Sequence, residues 1–564
     1  MIRRLVALAL IGTGAATVYG LLPPRPRDIG PLPADRPVPV RGVIHVHTTR
    51  SDGGGTLDDV AGAAARAGLQ FVIVTDHGDA SRAPEPPSYR AGVLCIDAVE
   101  ISTGDGHVVA LDLPQSPYPL GGEGRDVVED VSRLGGFSIA AHPVSVRPSL
   151  RWTEWTAPFD GIEWLNGDSE WRDESRWDLA RALLTYPVRP AASLARLLDR
   201  AEPAMRRWDA LTQRRRVVAV AASDAHARIG RPDDDDPSMS RLAMPLPGYE
   251  AVFRTLSIVL PDVRLSGRPQ EDARAVTGQI RLGHVYSEVQ SVAAPGTLAF
   301  AATSGRFSAS AGDVLGLDGD VQLRVDAHAP RDARIVLFKD GERLASAEGP
   351  SLQQTVEGGP GVYRVEVEVP GSPGDPPVPW MVSNPIYVGR AAEEIRVPPR
   401  AAGSTSIALD RGMSEWTVEH SAESQGALDI GRAFGGAPQI VFRYALSGTL
   451  SSSPYAALVI PTAPGLALHD RLTFRVRADR PMRLSVQLRD PGAGDGDRWH
   501  RSIYVDSVPR EVSVFFDEMR SRGRTSGVRP PLDRIRSILF VTDTVNAKSG
   551  TNGQVVIEGM RYGK

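Results

Sequence analysis

The sequence is poor in cysteine, in net charge and in aromatic residues. Cys95 is the only cysteine among 564 residues, so no intrachain disulfide can form. It lies in an apolar run, which indicates a small buried hydrophobic residue. The formal net charge is −4, aromatic residues make up 6% of the chain, and no basic stripe with interleaved aromatics occurs. A nucleic-acid duplex is therefore not indicated as a partner, and the length indicates several domains.

The N-terminal segment lacks a clear A-x-A cleavage site and a cysteine for a lipoprotein anchor. Arg3 and Arg4 precede a run of apolar or small residues over 5–22, and a proline-rich linker follows over 23–40. Both a signal peptide and an uncleaved membrane anchor over residues 1–22 fit this pattern. We favour the anchor, and expect an exported catalytic part that is periplasmic or extracellular.

What the chain does have is a concentration of metal-ligand residue types over residues 41–79. His45 and His47 lie two residues apart in a β-forming run, so a strand places both side chains on one face. A helical pattern follows, and then the apolar run 71–74, which predicts a parallel strand buried on both faces. Ligands at the ends of such strands lie where α/β folds place their sites. The other ligand-type residues of this stretch are Asp52, Asp76 and His77.

Further ligand-type residues lie at the ends of the strand-like runs that follow. All six histidines before residue 230 belong to this set, so none of them remains as an ordinary core or surface histidine. A lone histidine is usually structural, but this number at strand ends favours a metal site. The added members are Glu100, His107, His142, Asp224 and His226.

These motifs resemble the PHP superfamily, the polymerase and histidinol phosphatase group of metal-dependent phosphoesterases. The similarity covers residues 42–292 and rests on HVHTTRSDG, VTDHGD, VEIS with a following GHVVAL, AAHP and SDAH, in the family's order. It implies a distorted (β/α)7 barrel with two or three metal ions. The implied ligands are His45, His47, Glu100 and Asp224 for the first ion, Glu100, His107 and His142 for the second, and Asp52, His77 and His226 for the third.

The ligand chemistry favours hydrolysis of a phosphate ester. Mixed imidazole and carboxylate ligands suit Zn, Mn or Fe. Two neighbouring ions lower the pKa of a bridging water and clamp phosphate oxygens, so we expect a metal-bound hydroxide as nucleophile. Glu100 and Asp224 then act as ligands at the reacting centre, and Asp76 is expected to orient His77 or to accept a proton.

Several residues outside the ligand set are ambiguous. Arg228 suits bidentate phosphate binding, although a surface salt bridge is the favoured alternative. Asn166, at the end of the run GIEWLN, suits either a hydrogen bond to substrate or a strand-end cap, and His284 favours a structural role. The helical excursion over 171–216 is expected to cover the cleft and to set substrate size.

After residue 297 the pattern changes to all-β, so the fold class is multidomain α/β plus all-β. The barrel is assigned to 41–297, and short alternating strands predict an immunoglobulin-like sandwich over 298–390. A linker over 391–405 precedes a jelly roll over 406–564 that resembles galactose-binding and carbohydrate-binding modules. Its residues Trp416, Trp499 and Tyr504 suit sugar stacking and core packing equally well.

Two classes of function follow. The first is an exported or anchored phosphoesterase acting on a phosphate mono- or diester, with the β domains positioning it on an envelope polysaccharide. The alternative is a glycan-binding envelope or scaffold protein whose metal-binding barrel is catalytically silent. Hydrolysis of a non-phosphate bond is a further possibility, because metal hydroxides also attack amides.

Overall fold

The computed structural model describes residues 19–34, 38–229, 244–389, 406–408, 415–432, 438–449, 453–462, 465–491, 497–522 and 529–564. Most of the expected signal or anchor over 1–22, and the linker over 391–405, lie outside the described residues. Among the residues described, no helix is long and apolar enough to cross a membrane. The chain forms two compact units, Met1–Pro114 with Glu123–Arg396, and Gln115–Gly122 with Val397–Lys564.

The first unit begins with mixed strands and helices. Its strands here are β1 (Arg27–Asp28), β2 (Val40–Ile44), β3 (Phe71–Val74), β4 (Ser88–Arg90), β5 (Val93–Asp97), β6 (Val99–Thr103), β7 (Gly106–Leu111), β8 (Phe137–Ala140), β9 (Gly161–Asn166), β10 (Val218–Ala222), β11 (Ser257–Leu260) and β12 (Tyr286–Glu288). Its helices are α1 (Leu57–Ala67), α2 (Gly124–Arg133), α3 (Gly167–Asp173), α4 (Arg176–Thr185), α5 (Pro190–Ala195), α6 (Glu202–Thr212), α7 (Tyr249–Phe253) and α8 (Pro269–Leu282).

Seven of these strands are linked in a ring. One sheet has the order β10-β9-β8-β7-β6, and a second sheet contains β11-β2-β3-β5-β4. The N–H of Ser223, just after β10, donates to the carbonyl of Ile44 in β2 (3.0 Å). On the other side, the N–H of Glu100 in β6 donates to the carbonyl of Asp76 (3.3 Å), which follows β3. Strands β2, β3, β6, β7, β8, β9 and β10 therefore close on one another at one edge.

Strand β3 is buried on both of its faces, as the apolar run predicts. Phe71 and Ile73 pack in one cluster with Ile139 and other residues of the neighbouring strands. Val72 and Val74 point the opposite way, into a second cluster that contains Val60 of α1. The alternation of side chains along a strand produces this division, and it fixes which residues at the strand end face the centre of the ring.

A β-sandwich completes the first unit. Its sheets have the orders β15-β14-β17-β20 and β16-β23-β21-β22, with β18 and β19 beside β21. Strand β13 (Ala293–Ala294) precedes the sandwich and pairs with β1. The strands of the sandwich are β14 (Thr297–Ser304), β15 (Phe307–Ser310), β16 (Val314–Leu315), β17 (Val321–His328), β18 (Arg334–Lys339), β19 (Glu342–Glu348), β20 (Ser351–Val356), β21 (Gly361–Glu368), β22 (Met381–Ser383) and β23 (Ile386–Val388).

The sandwich and the strand–helix part share one sheet. Strand β12 pairs with β11 on one side and with β22 on the other, so the ladder continues across the domain boundary assigned at residue 297. The buried guanidinium of Arg364 adds a second connection, because it donates to both carboxylate oxygens of Asp209 (2.6 and 2.8 Å). Asn384 adds a third through its amide, which bonds to both backbone groups of Ala219.

The second unit is a sandwich of two six-stranded sheets, with the orders β26-β27-β35-β29-β32 plus β24, and β25-β28-β34-β30-β31-β33. The strands are β24 (Ser406–Ala408), β25 (Thr417–His420), β26 (Gln425–Arg432), β27 (Pro438–Ala445), β28 (Tyr455–Pro461), β29 (Arg471–Ala478), β30 (Met482–Asp490), β31 (Asp497–Val505), β32 (Arg510–Phe515), β33 (Arg520–Arg522), β34 (Ser537–Asp543) and β35 (Asn552–Gly563). The multidomain organisation, with mixed and all-β parts, is thus confirmed.

The aromatic residues proposed for sugar stacking in this unit lie mostly in its core. Trp416 is 7% exposed and Trp499 is 1% exposed, and both belong to the main hydrophobic cluster between the sheets. Neither indole is available as a stacking platform, so the interpretation of these two as core aromatics holds. Tyr504 is half-buried, and its hydroxyl donates to Asp506 (3.0 Å).

Candidate metal centre

The ligand-type residues predicted from strand ends converge at the closed edge of the ring. His45 and His47 follow β2, His77 follows β3, and His142 follows β8. Strand β7 runs antiparallel to both of its neighbours, so His107 near its beginning reaches the same edge. Among the described residues, four overlapping sets of side chains could each hold a metal ion, and the ligand atoms within each set lie no more than 4.8 Å apart. The sets are His47, Asp52, His77 and His226; His45, His47 and Asp224; His45, Glu100 and His142; and His77, Glu100 and His107.

Glu100 is at the centre of this arrangement. One carboxylate oxygen, Oε2, lies 3.1 Å from His45 Nε2 and 3.2 Å from His47 Nε2. The other, Oε1, lies 2.7 Å from His107 Nδ1 and 3.2 Å from His142 Nε2. The two oxygens therefore face different groups of imidazoles, which is the geometry required of a carboxylate shared between two ions.

Two other carboxylates, those of Asp224 and Asp52, also lie close to imidazoles of the centre. Asp224 Oδ1 lies 3.3 Å from both His45 Nε2 and His47 Nε2. Asp52 Oδ2 lies 3.3 Å from His226 Nε2 and 3.6 Å from His77 Nε2. Ligand atoms about 2.1 Å from one ion are about 3.0–3.4 Å apart at octahedral or tetrahedral angles. Most of these separations lie within or just beyond that range.

Several buried polar atoms at the centre have no hydrogen-bond partner within the described part of the chain. They are His45 Nε2, His47 Nε2, His77 Nδ1 and both carboxylate oxygens of Asp224. A buried polar atom without a partner costs free energy, and here the atoms point at one another. Lone pairs of imidazoles and carboxylates directed at a common point suit a divalent cation of the Zn, Mn or Fe type.

The backbone is strained at three of the ligand positions. His45, His142 and Asp224 adopt left-handed conformations, with φ of 66°, 47° and 45°. A residue other than glycine in this region costs on the order of 1–3 kcal/mol, and such residues cluster at functional sites. The strain turns each side chain toward the centre at the point where its strand ends.

The charges of the site perturb one another strongly. Burial alone disfavours protonated imidazoles, but Asp224 and Glu100 outweigh it and raise the pKa of His45 well above its usual value. In the same way, Asp224 and Glu100 raise the pKa of His142 to about 9. Although burial opposes them, the imidazoles hold the pKa of Glu100 and of Asp224 well below the usual range. Protons and metal ions therefore compete for the same nitrogen atoms.

Glu163 is a site residue that the sequence reasoning missed. Its Oε1 lies 2.6 Å from His45 Nδ1, and its Oε2 accepts from the N–H of His142 (3.0 Å) and from Asn166 Nδ2 (2.8 Å). A carboxylate at Nδ1 holds the proton there and leaves Nε2 as the ligand atom. The available signal was a glutamate within the otherwise apolar strand β9, where a buried charge requires a partner.

Asp76 is hydrogen-bonded to a loop, and the expectation that it accepts a proton stays a prediction. It does not orient His77 through the hydrogen bonds of the described residues; it accepts from the N–H of Thr48 (2.7 Å), from Ser51 Oγ (2.7 Å) and from Arg50 Nε (2.9 Å). All three donors belong to the loop that leads to Asp52. Asp76 therefore fixes that loop, because the side chains of Thr48, Arg50 and Ser51 and the backbone N–H of Thr48 all donate to its carboxylate.

The other residues named from the sequence have clear positions. Asn166 caps helix α3, since its Oδ1 accepts from the N–H groups of Asp168 (3.1 Å) and Ser169 (2.9 Å). His284 is structural, because its ring nitrogens lie 2.8 Å from Gln279 and 2.8 Å from Asp313. Arg228 is half-buried and lines a cavity beside the ligands. That cavity is also lined by Asp224 and His226, and by Trp171, Leu197 and Leu198 of the helical excursion.

Comparison with known proteins adds little about this centre. No protein-family model and no curated protein matches the sequence. A family 11 carbohydrate-binding module from Clostridium thermocellum, solved with a β-1,3-1,4-mixed-linked tetrasaccharide, is 19% identical over 29% of this chain and 96% of that chain, with a TM-score of 0.24. A family 30 carbohydrate-binding module is 10% identical over 26% and 90%, with a TM-score of 0.20. At TM-scores this low, the similarity implies nothing about function.

Proposed function

We propose that the first unit is a metal-dependent phosphoesterase of the PHP type, which hydrolyses a phosphate mono- or diester. The observation that carries this proposal is the convergence of six imidazoles and three carboxylates in four overlapping ligand sets. The buried atoms of His45, His47 and Asp224 that have no hydrogen-bond partner support it, since none of the residues that the structure describes satisfies them. The closed ring of seven strands is consistent with the distorted (β/α)7 barrel implied by the sequence motifs.

The proposal assigns two or three divalent ions to the centre. Glu100 is the shared ligand, because its two oxygens face separate imidazoles. His45, His47 and Asp224 complete the first position, and His107 and His142 the second. Asp52, His77 and His226 form the third, and His47 lies within reach of the same set. These groupings follow those implied by the sequence motifs, with His47 added to the third. The sets of close ligand atoms among the described residues instead combine Glu100 with His45 and His142, and with His77 and His107.

The chain's own residues prepare this centre for a phosphate. Bound divalent ions supply Lewis acidity toward phosphate oxygens and an activated water as nucleophile. Glu163 holds the tautomer of His45, and Asp76 holds the loop of Asp52. In this proposal, Arg228 in the cavity wall contacts a phosphate oxygen, for which a guanidinium is suited. The apolar walls at Trp171 and Leu197 exclude water from the leaving group's side.

The test uses the full chain. Metal content is measured, and hydrolysis of p-nitrophenyl phosphate and bis-p-nitrophenyl phosphate is assayed with Mn or Zn. We expect His45→Ala and Glu100→Ala to reduce turnover to that of the metal-free protein while circular dichroism stays unchanged. His284→Ala is the matched control, because this histidine bonds to Gln279 and Asp313 instead of to the centre. Retained turnover in either ligand variant contradicts the proposed site.

A second candidate is glycan binding by the second unit with a catalytically silent metal centre. Its two-sheet jelly-roll architecture favours this candidate, since lectin domains use that architecture, although architecture alone does not specify function. Solved carbohydrate-binding modules resemble part of the chain, but their TM-scores are too low to add to this argument. A metal-loaded protein that binds a polysaccharide and is inactive on every phosphate ester favours this candidate. Turnover of an amide or carboxyl ester instead indicates a non-phosphate substrate.

A further inference from the structure

Helix α4 and the turn after it expose large apolar side chains. Trp177 is 85% exposed, Leu183 61%, Leu184 48% and Val188 56%. The helix packs inward through Ala182 and Thr185, so the exposed residues lie on the side turned away from the protein. Trp177 and Leu184 are seven residues apart and share one helical face. Clustered large apolar side chains on a surface mark an interaction site; these four residues are called the α4 patch.

The N-terminal segment of the chain leaves the protein beside the same helical excursion. The guanidinium of Arg196 donates to the carbonyl of Leu21 (3.4 Å), and that of Arg189 donates to the carbonyl of Pro23. Tyr19, at the start of the described chain, is 75% exposed. Residues 5–22, the apolar or small run expected to be an anchor or signal, therefore end at Arg189 and Arg196, which flank α5 directly after the α4 patch.

The position of the N-terminal segment beside Arg189 and Arg196 indicates what covers the α4 patch. An extended chain spans at most about 3.5 Å per residue, and Leu21 is already in contact with Arg196. If residues 5–22 enter a bilayer, no free length of chain remains between the bilayer surface and the helical excursion. The excursion also carries arginines at positions 176 and 181 on α4 itself, and arginines together with exposed Trp and Leu suit the headgroup region.

We propose that helix α4 and the following turn lie on a lipid surface, with Trp177, Leu183, Leu184 and Val188 inserted among the headgroups. The patch then acts as a second, interfacial attachment next to the N-terminal one. It fixes the rotation of the first unit about its tether and holds the helical excursion, and with it the cavity of Trp171 and Leu197, against the membrane. This inference is independent of the chemistry at the metal centre.

The test places one fluorophore on the patch of the full chain. The buried Cys95 is replaced by alanine, and Leu184→Cys carries an environment-sensitive label. Leu468→Cys is the matched control, because Leu468 is another exposed leucine (71%) and lies in the second unit. Both proteins are reconstituted in phosphatidylcholine vesicles that contain a minor fraction of phosphatidylglycerol. Brominated acyl chains then quench labels in lipid, and iodide quenches labels in water.

We expect the label at 184 to shift to shorter wavelength, to be quenched by brominated lipid and to be protected from iodide. The label at 468 is expected to show the reverse. Quenching of the label at 184 by iodide alone overturns the proposal. Protection from both quenchers also overturns it, because protein then covers the patch, either a second copy of the chain or its own N-terminal segment. Unchanged circular dichroism verifies that the labelled variants are folded.

Discussion

Glu163→Gln tests whether a carboxylate outside the ligand set determines how well the centre binds metal. Glu163 Oε1 lies 2.6 Å from His45 Nδ1, while Oε2 accepts from two N–H donors, the backbone of His142 and the amide of Asn166. Glutamine has the same shape but only one acceptor oxygen. Whichever way its amide turns, an NH₂ group faces a donor, so either His45 loses its partner or the two N–H groups lose theirs.

The magnitude follows from the role of such carboxylates. Loss of the partner that orients a metal-binding imidazole costs about 10–100-fold in metal affinity, which corresponds to about 1.4–2.7 kcal/mol. The substitution also changes the pKa of His45. Glu163 is one of the carboxylates that raise the pKa of His45, so the variant's His45 binds its proton less tightly in the metal-free protein. The metal affinity of the variant should therefore depend less steeply on pH.

The assay is a competition titration of Zn against a chromophoric chelator at several pH values. Glu154→Gln is the matched control, since Glu154 is also buried (4% exposed) and accepts from the backbone N–H of Thr156 (3.0 Å). We expect the control to keep the wild-type affinity and pH slope. An affinity of Glu163→Gln within twofold of wild type, with the same pH slope, would falsify the orienting role.

Three other perturbations test other parts of the first unit. Burial, with the charges of nearby acids, raises the pKa of Glu170 to about 8; the stability this gives is present below the unfolded pKa of about 4.3 and is lost as pH rises through about 8. In urea unfolding, the free energy of unfolding of Glu170→Gln relative to that of wild type should therefore rise by up to about 4 kcal/mol from pH 5 to pH 9, because only wild type loses this stability. Arg364→Met leaves the carboxylate of Asp209 without its bidentate partner, and should cost about 3–5 kcal/mol in the same measurement. Asp76→Asn weakens the loop that carries Asp52, and should lower the metal stoichiometry by one ion while fold and remaining ions persist; an unchanged stoichiometry contradicts this role.

The candidate metal centre was largely predictable, because most of its residues lie at or beside strand ends. A strand of known polarity places its last residues at a definite edge, so His45, His47, His77 and His142 could be assigned to one site from local patterns alone. The continuous apolar run also predicted correctly that Phe71–Val74 is buried on both faces. These inferences use only information within about ten residues of each ligand.

Other features were not predictable, because they depend on contacts between distant segments. The contacts of Asp76 are hydrogen bonds to a loop 25 to 28 residues away, whereas its position beside His77 in the sequence suggested a contact with that histidine. The pairing of β12 with β22 joins residues about a hundred positions apart, and no local pattern sets that register. Trp416 and Trp499 show the same limit, since their burial depends on how the two sheets of the second unit face each other.

The ladder from β11 through β12 to β22 also bears on how this chain could have evolved. In many multidomain proteins a β-sandwich is an exchangeable appendage, gained or lost by recombination at a linker. Here, removal of the residues after 297 would expose the hydrogen-bonding edge of β12 and leave Asp209 facing no guanidinium. The smallest inherited piece that keeps this shared sheet intact therefore extends to about residue 389. We expect homologous chains to retain or lose the first sandwich together with the strands that carry the candidate ligands.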